Sequence, residues 1–150
     1  MALARETEMT AEEIEVFLGA HETGVLSLAD ADEPYAVPVS YGYDADTETF
    51  YFRLVSTDGS QKRRFLAGDP RVRFVVYDDE NAETYRSVVA GGQLSEIDPT
   101  ALSIDQIEQY GSAKRPLFEI WGESRTELDI QLFELETTEL TGRRTEIDRE

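Results

Sequence analysis

The run from Tyr35 to Arg64, YAVPVSYGYDADTETFYFRLVSTDGSQKRR, constrains the fold more than any other part of the chain. It reads as strand, turn, strand, polar loop and short basic helix. The strands are Pro34 to Tyr43 and Thr49 to Val55, joined by the acidic turn Asp44 to Glu48. In the second, Phe50 and Phe52 share one face while Tyr51 and Arg53 share the other. Pro38 has no amide to donate, so it belongs at a sheet edge, at a bulge, or where the backbone faces a ligand. The loop Ser56 to Gln61 ends on Lys62, Arg63 and Arg64, three cations in a chain of formal charge −18.

The flanking segments extend this β pattern. Thr10 and Glu13 have the spacing of a capping box, and Ile14, Phe17 and Leu18 form one apolar face of a helix ending near Ala20. His21 follows in the helix exit, where bonding to free carbonyls is the favoured role over catalysis. Gly24 to Ala29 reads as a strand paired in a hairpin with the run from Pro34. Phe65 and Leu66 give the basic helix its apolar contact, and Gly68-Asp69-Pro70 stops it. Arg71 to Tyr77 and Thr84 to Leu94 form a second hairpin, with Gly91-Gly92 marking a bulge or a close backbone approach. Asp98-Pro99-Thr100 opens a helix expected to bury Leu102, Ile104, Ile107 and Tyr110, and Gly111 ends it. A last strand spans Glu127 to Leu135, with Leu128, Ile130 and Leu132 on alternate positions. The expected product is one domain over residues 1–150, mainly β with short helices. Six antiparallel strands would close a small barrel over a core of about 10–140, with a charged tail, 142–150, too polar to pack.

Composition removes several function classes. There are no cysteines and one histidine, so thiolate chemistry and zinc sites built from several histidines are excluded. No apolar run approaches the roughly 20 residues of a membrane-spanning helix, and the N-terminus lacks the apolar core of a secretory signal, so a cytoplasmic protein without membrane contact is expected. Lysine occurs only at 62 and 114 and the acidic residues are dispersed, a pattern resembling haloarchaeal cytoplasmic proteins, whose salt screens self-repulsion. Nucleic acid is an unsuitable partner for such a surface.

Neither a Gly-x-Gly-x-x-Gly after a strand nor a P-loop occurs, and acidic pairs such as Asp78-Asp79 are what turns in so acidic a chain provide. The segment Ser60-Gln61-Lys62-Arg63 differs, because it offers a hydroxyl, amides at a helix start and adjacent cations, the requirements of a phosphate cradle. Pairing with surrounding acids is the competing explanation for those cations.

In joint order, TAEEIEVFLGAHETGVLSLA, PYAVPVSYGYD, FYFRLV, GSQKRRFLAGDPRVRFVVYD and YRSVVAGGQL resemble the pyridoxamine 5′-phosphate oxidase-like flavin-binding family over about residues 10–140. The resemblance implies an FMN-binding split β-barrel and a homodimer with flavin at the subunit interface. It places the phosphate at Ser60, Gln61, Lys62 and Arg63. It places the isoalloxazine ring beside Pro38, Val39, Ser40 and Tyr41, and the ribityl and phosphate side at Arg53, Leu54 and Val55. Trp121 is a candidate ring or substrate contact, weighed against an apolar plug at one barrel end.

Departures narrow the activity. Ser-Gln-Lys stands where the authentic oxidases have Ser-Arg-Lys, Ala36 and Tyr41 replace basic residues, and their C-terminal Arg and His pair has no counterpart, so vitamin B6 oxidation is not expected. The nitroimidazole-resistance-like branch is nearer through VPVSYGY, although a histidine common there is Arg53 here. The resulting expectation is an FMN-dependent oxidoreductase acting on a small-molecule redox substrate that the residues do not specify. A non-catalytic flavin-binding or sensing module, a relative using deazaflavin or haem, and a cofactor-free structural dimer are the alternatives.

Overall fold

The computed structural model describes residues 3–56, 61–81, 83–112 and 129–148. Its elements are strand β1 (Leu3–Glu8), helix α1 (Ala11–Gly19), strands β2 (Thr23–Asp30), β3 (Glu33–Ser40), β4 (Gly42–Asp44) and β5 (Thr49–Ser56), and helix α2 (Gln61–Leu66). They continue with strands β6 (Arg71–Asn81) and β7 (Thr84–Ile97), a 3₁₀ turn at Pro99–Ala101, helix α3 (Ile104–Ser112) and strand β8 (Asp129–Asp148). Every strand pairing is antiparallel.

The sheet runs β3-β2-β6-β7-β8-β5-β4, with β1 added along β8. Its two edge strands are consecutive in sequence, so the chain at Tyr41 crosses directly from one edge to the other. That crossing makes the sheet a split β-barrel, and it explains why the expected strand Pro34 to Tyr43 is two strands. Pro38 lies on the edge strand, exposed, where its missing amide costs no ladder bond.

Alternation puts one side of each strand inside. Leu26, Phe50, Phe52, Leu54, Phe74, Val76, Val88, Leu94, Phe133 and Leu135 form the barrel core. Helix α1 joins that core through Ile14, Phe17 and Leu18. The capping box that starts it is complete: Thr10 Oγ1 accepts from the Glu13 amide at 3.2 Å, and Glu13 Oε1 accepts from the Thr10 amide at 3.2 Å. The β7–β8 register shifts between Gly91 and Gly92, the expected bulge. At Gly92 a Cβ would collide with the Glu136 carbonyl oxygen.

Three expectations are corrected. The residues from Gly142 do not form an unpacked tail, because β8 continues to Asp148 and pairs there with both β1 and β7. Its charges are accommodated by ion pairs, Arg143 with Glu6 at 2.7 Å and Arg144 with Glu13 at 3.0 Å. Leu3–Glu8, before the expected core of about 10–140, is itself a strand. Finally, Ile104 and Ile107 are not buried: they are 77% and 56% exposed, while Tyr110 makes the contact of α3 with the sheet. Among the described residues no helix is long and apolar enough to cross a membrane.

Candidate functional site

Helix α2 is fastened to the β2–β3 turn. Phe65 and Leu66 are buried, and the Phe65 ring stacks on Tyr35 with centroids 4.8 Å apart. Arg64 lies over the Phe65 ring at 4.6 Å and pairs with Asp30 at 3.3 Å and Glu33 at 2.8 Å. One of the three adjacent cations therefore serves the fold. Arg63 is half-buried. Gln61 and Lys62 form the first turn of α2, but their side chains, like the whole of Ser60, lie outside the described residues. The left-handed backbone at Gly68 (φ 77°) and Asp69 (φ 51°) then turns the chain into β6.

Strand β5 delivers the chain towards α2. Arg53 on this strand stands opposite Leu132 on the outer face, beside the small cluster of Tyr51, Tyr110 and Leu132. Its Nε is buried and has no hydrogen-bond partner among the described residues. Desolvation holds the guanidinium pKa below its ordinary value. A buried cationic donor without a partner is costly unless an anion meets it. The position accordingly fits a phosphate or another anionic ligand. Leu54 points into the core, and Val55 pairs with Ile130 in the β5–β8 ladder, its side chain outside the described residues.

Strand β3 packs near β5 across the split, so the structure brings β3, β5 and α2 together. Within β3, Pro38 is exposed whereas Val39 and Ser40 are buried. Tyr41 follows Ser40 directly, just beyond the strand at the crossing. Its ring is buried against Phe50 and Phe74, and its hydroxyl donates to the Leu18 carbonyl at 2.7 Å. Trp121 lies outside the described residues.

At the end of the barrel away from α2 is a cavity of about 630 Å³, lined by Glu15, Glu22, Tyr41, Tyr43, Asp44 and Gln109 among others. Burial, then Glu48, Glu15 and Asp44, push the Tyr43 phenol up to about 12. His21 also borders this space, yet its nitrogens are spent. Nδ1 lies 2.8 Å from the Phe17 carbonyl and Nε2 lies 3.2 Å from Asp78 Oδ2. Arg86 donates to the same carboxylate oxygen at 2.7 Å. Both ring nitrogens therefore face protein acceptors, and His21 ties α1 to β6. The Phe17 contact was legible from helix-exit spacing, but nothing local signalled Asp78, 57 residues away. No group of three or more His, Asp or Glu side chains among the described residues is arranged to hold a metal.

Comparison with known proteins gives these positions their context. The family model described as pyridoxamine 5′-phosphate oxidase matches residues 10–144. No curated protein matches the sequence. Among solved structures, a FAD-binding protein from Mesorhizobium loti is similar at 25% identity and a TM-score of 0.66, over 95% of this chain and 98% of that one. A candidate 5-nitroimidazole antibiotic resistance protein from Bacteroides thetaiotaomicron is 14% identical at a TM-score of 0.63, covering 99% and 96% of the two chains. A FAD and haem binding protein from Mycobacterium smegmatis is 16% identical at 0.62, covering 91% and 71%. The last two share the fold.

Proposed function

Because the chain belongs to the pyridoxamine 5′-phosphate oxidase family, we propose that it is a flavin-binding oxidoreductase holding FMN along β5, α2 and β3. The observation that carries this reading is the buried Nε of Arg53, without a hydrogen-bond partner among the described residues, on the strand leading into the basic helix. FMN, when bound, supplies the hydride chemistry, so the protein needs no acid or base of its own at the reacting atoms. Lys62, Arg63 and the first-turn amides of α2 anchor the phosphate, and Arg53 supplies a further cation on its ribityl side. The exposed edge at Pro38 leaves room for the ring. Tyr41 serves barrel closure, since its hydroxyl is spent on Leu18.

The same reading makes the protein a cytoplasmic homodimer suited to high salt, acting on a small-molecule redox substrate. FAD and haem appear among structural neighbours. Engagement of both nitrogens of His21, the one imidazole in the sequence, favours a flavin over a histidine-ligated haem.

The test is the visible spectrum of protein purified in high salt, before and after addition of FMN and removal of the excess. Retained flavin absorbance, with affinity at least tenfold weaker in Lys62→Ala, supports the reading. A folded protein that retains no flavin overturns it, and a Soret band would assign haem instead. Anaerobic bleaching of bound flavin by NADH or NADPH separates an enzyme from a storage or sensing module.

A further inference from the structure

We infer that the groove between α1 and the inner face of β7 and β8 is a binding site for a small organic carboxylate, gripped by Arg86 and Arg144. Register builds its floor. Asp78 on β6, Arg86 on β7, Arg144 on β8 and Thr7 on β1 stand opposite one another in a single row across the sheet. Val76 and Val88, two residues away on β6 and β7, are buried in the core, so alternation puts Asp78 and Arg86 on the same inward side. On β8, Gly142 faces α1 so closely that a Cβ there would meet Ile14 and Met9, and Arg144 shares its side of the strand. The row therefore closes one end of the core beneath α1. Over it lies a groove of about 310 Å³, lined by both arginines and, from the α1 side, by Met9, Glu12, Glu13, Val16 and Phe17.

Like charges directly opposite in a ladder repel, and the carboxylates around these two arginines relieve that only in part. Asp78 takes one N–H of Arg86 at 2.7 Å and shares the same oxygen with His21, while Glu13 takes one N–H of Arg144 at 3.0 Å. Each guanidinium has further N–H donors. The Nε of Arg144 is buried without a hydrogen-bond partner among the described residues, and Glu146, 3.6 Å away, is beyond bonding distance. Arg86 is steadied by Phe17, whose ring centroid lies 4.9 Å from the guanidinium carbon; stacking uses the face of that group and leaves its N–H edge for an acceptor.

Charge and shape select the ligand. Glu12 and Glu13 border the groove, so a phosphate or sulfate dianion meets more repulsion there than a monoanion does. A carboxylate matches guanidinium edges through bidentate bonds. Val16, 73% exposed, forms an outer apolar wall that Met9 and Phe17 continue inward, so the carboxylate that fits carries a short apolar tail. The site is separate from the one at Arg53, because Leu132, opposite Arg53, stands near the start of β8 and Arg144 stands near its end.

The test is an amide NMR titration of the full chain in high potassium chloride, with hexanoate, acetate and inorganic phosphate added at matched ionic strength. Hexanoate should give saturable shifts in the millimolar range, concentrated at residues 9–17, 86 and 144; acetate should bind about tenfold more weakly, and phosphate should not bind. Arg86→Gln with Arg144→Gln should abolish the hexanoate shifts. Should that variant fail to fold, Val16→Glu decides: its position is exposed, so the fold tolerates the change, and a carboxylate on the rim should weaken hexanoate about tenfold. Hexanoate shifts that are absent, scattered over the surface or unaltered in Val16→Glu overturn the inference, as does phosphate or acetate binding as tightly as hexanoate. Because the titration is read with no FMN present, failure here is separable from failure of the cofactor reading.

Discussion

The Tyr41 hydroxyl donates a 2.7 Å hydrogen bond to the backbone carbonyl of Leu18. This bond joins the crossing between the two sheet edges to the last turn of α1, whose final carbonyls have no partner within the helix. Burial, then Glu22, pushes the phenol pKa well above its ordinary value, so the donor stays protonated. Tyr41→Phe leaves the carbonyl short of its partner and should cost about 1–2 kcal/mol. A shift of the denaturation midpoint at unchanged slope measures it. A shift within error would show that water replaces the hydroxyl.

Gly42 is fixed by packing, since a Cβ there would collide with the Gln109 carbonyl oxygen of α3. Backbone cannot yield as a side-chain tip does, so Gly42→Ala should destabilise by about 1–3 kcal/mol. The displacement falls on α3, and hydrogen exchange should accelerate across 104–112 before it changes in β6 or β7.

Arg53 separates a ligand role from a structural one. If its buried Nε waits for an anion, Arg53→Met removes a buried donor that has no partner among the described residues and leaves apoprotein stability unchanged or raised. FMN affinity should fall by about tenfold or more, the scale of one lost charge-assisted contact. A clear drop in the apoprotein melting temperature would instead assign Arg53 to the fold.

Alkaline pH gives an independent check on the cavity. The Tyr43 phenol is pushed up to about 12 from an ordinary 10.0, first by burial and then by Glu48, Glu15 and Asp44. A raised folded-state pKa means that the unfolded chain loses its proton first. The associated stability is therefore complete below about pH 10 and is lost as pH rises through about 12. The difference between wild type and Tyr43→Phe in ultraviolet tyrosinate titration should appear late in that range. An early difference would show that the phenol is solvated.

Thr10→Ala should cost roughly 1 kcal/mol through loss of the reciprocal cap. Thr10→Asn, also a good cap, should restore most of it, as read by thermal unfolding.

Local chemistry determined a large share of this protein from sequence. The capping box, the inward faces of β5, β6 and β7, the edge position of Pro38, the stop at Gly68-Asp69 and the bulge at Gly91-Gly92 each depend on residues within a turn or on period-two alternation. The basic segment was legible because cations are scarce in this chain. Tertiary structure decided what depends on distant partners. Gly142 to Asp148 is charged enough to read as a tail, yet β1 and β7 give its backbone a ladder on both sides and Glu6 and Glu13 receive its arginines. Ile104 and Ile107 fit a buried helical stripe, but α3 leaves them exposed and meets the sheet through Tyr110 and through Gln109, whose backbone lies against Gly42. Arg53 reads as any outward strand residue until folding buries its Nε. Pairing over more than a hundred residues, and the desolvation that gives a side chain its chemistry, are properties of the assembled barrel and have no local signature in the chain.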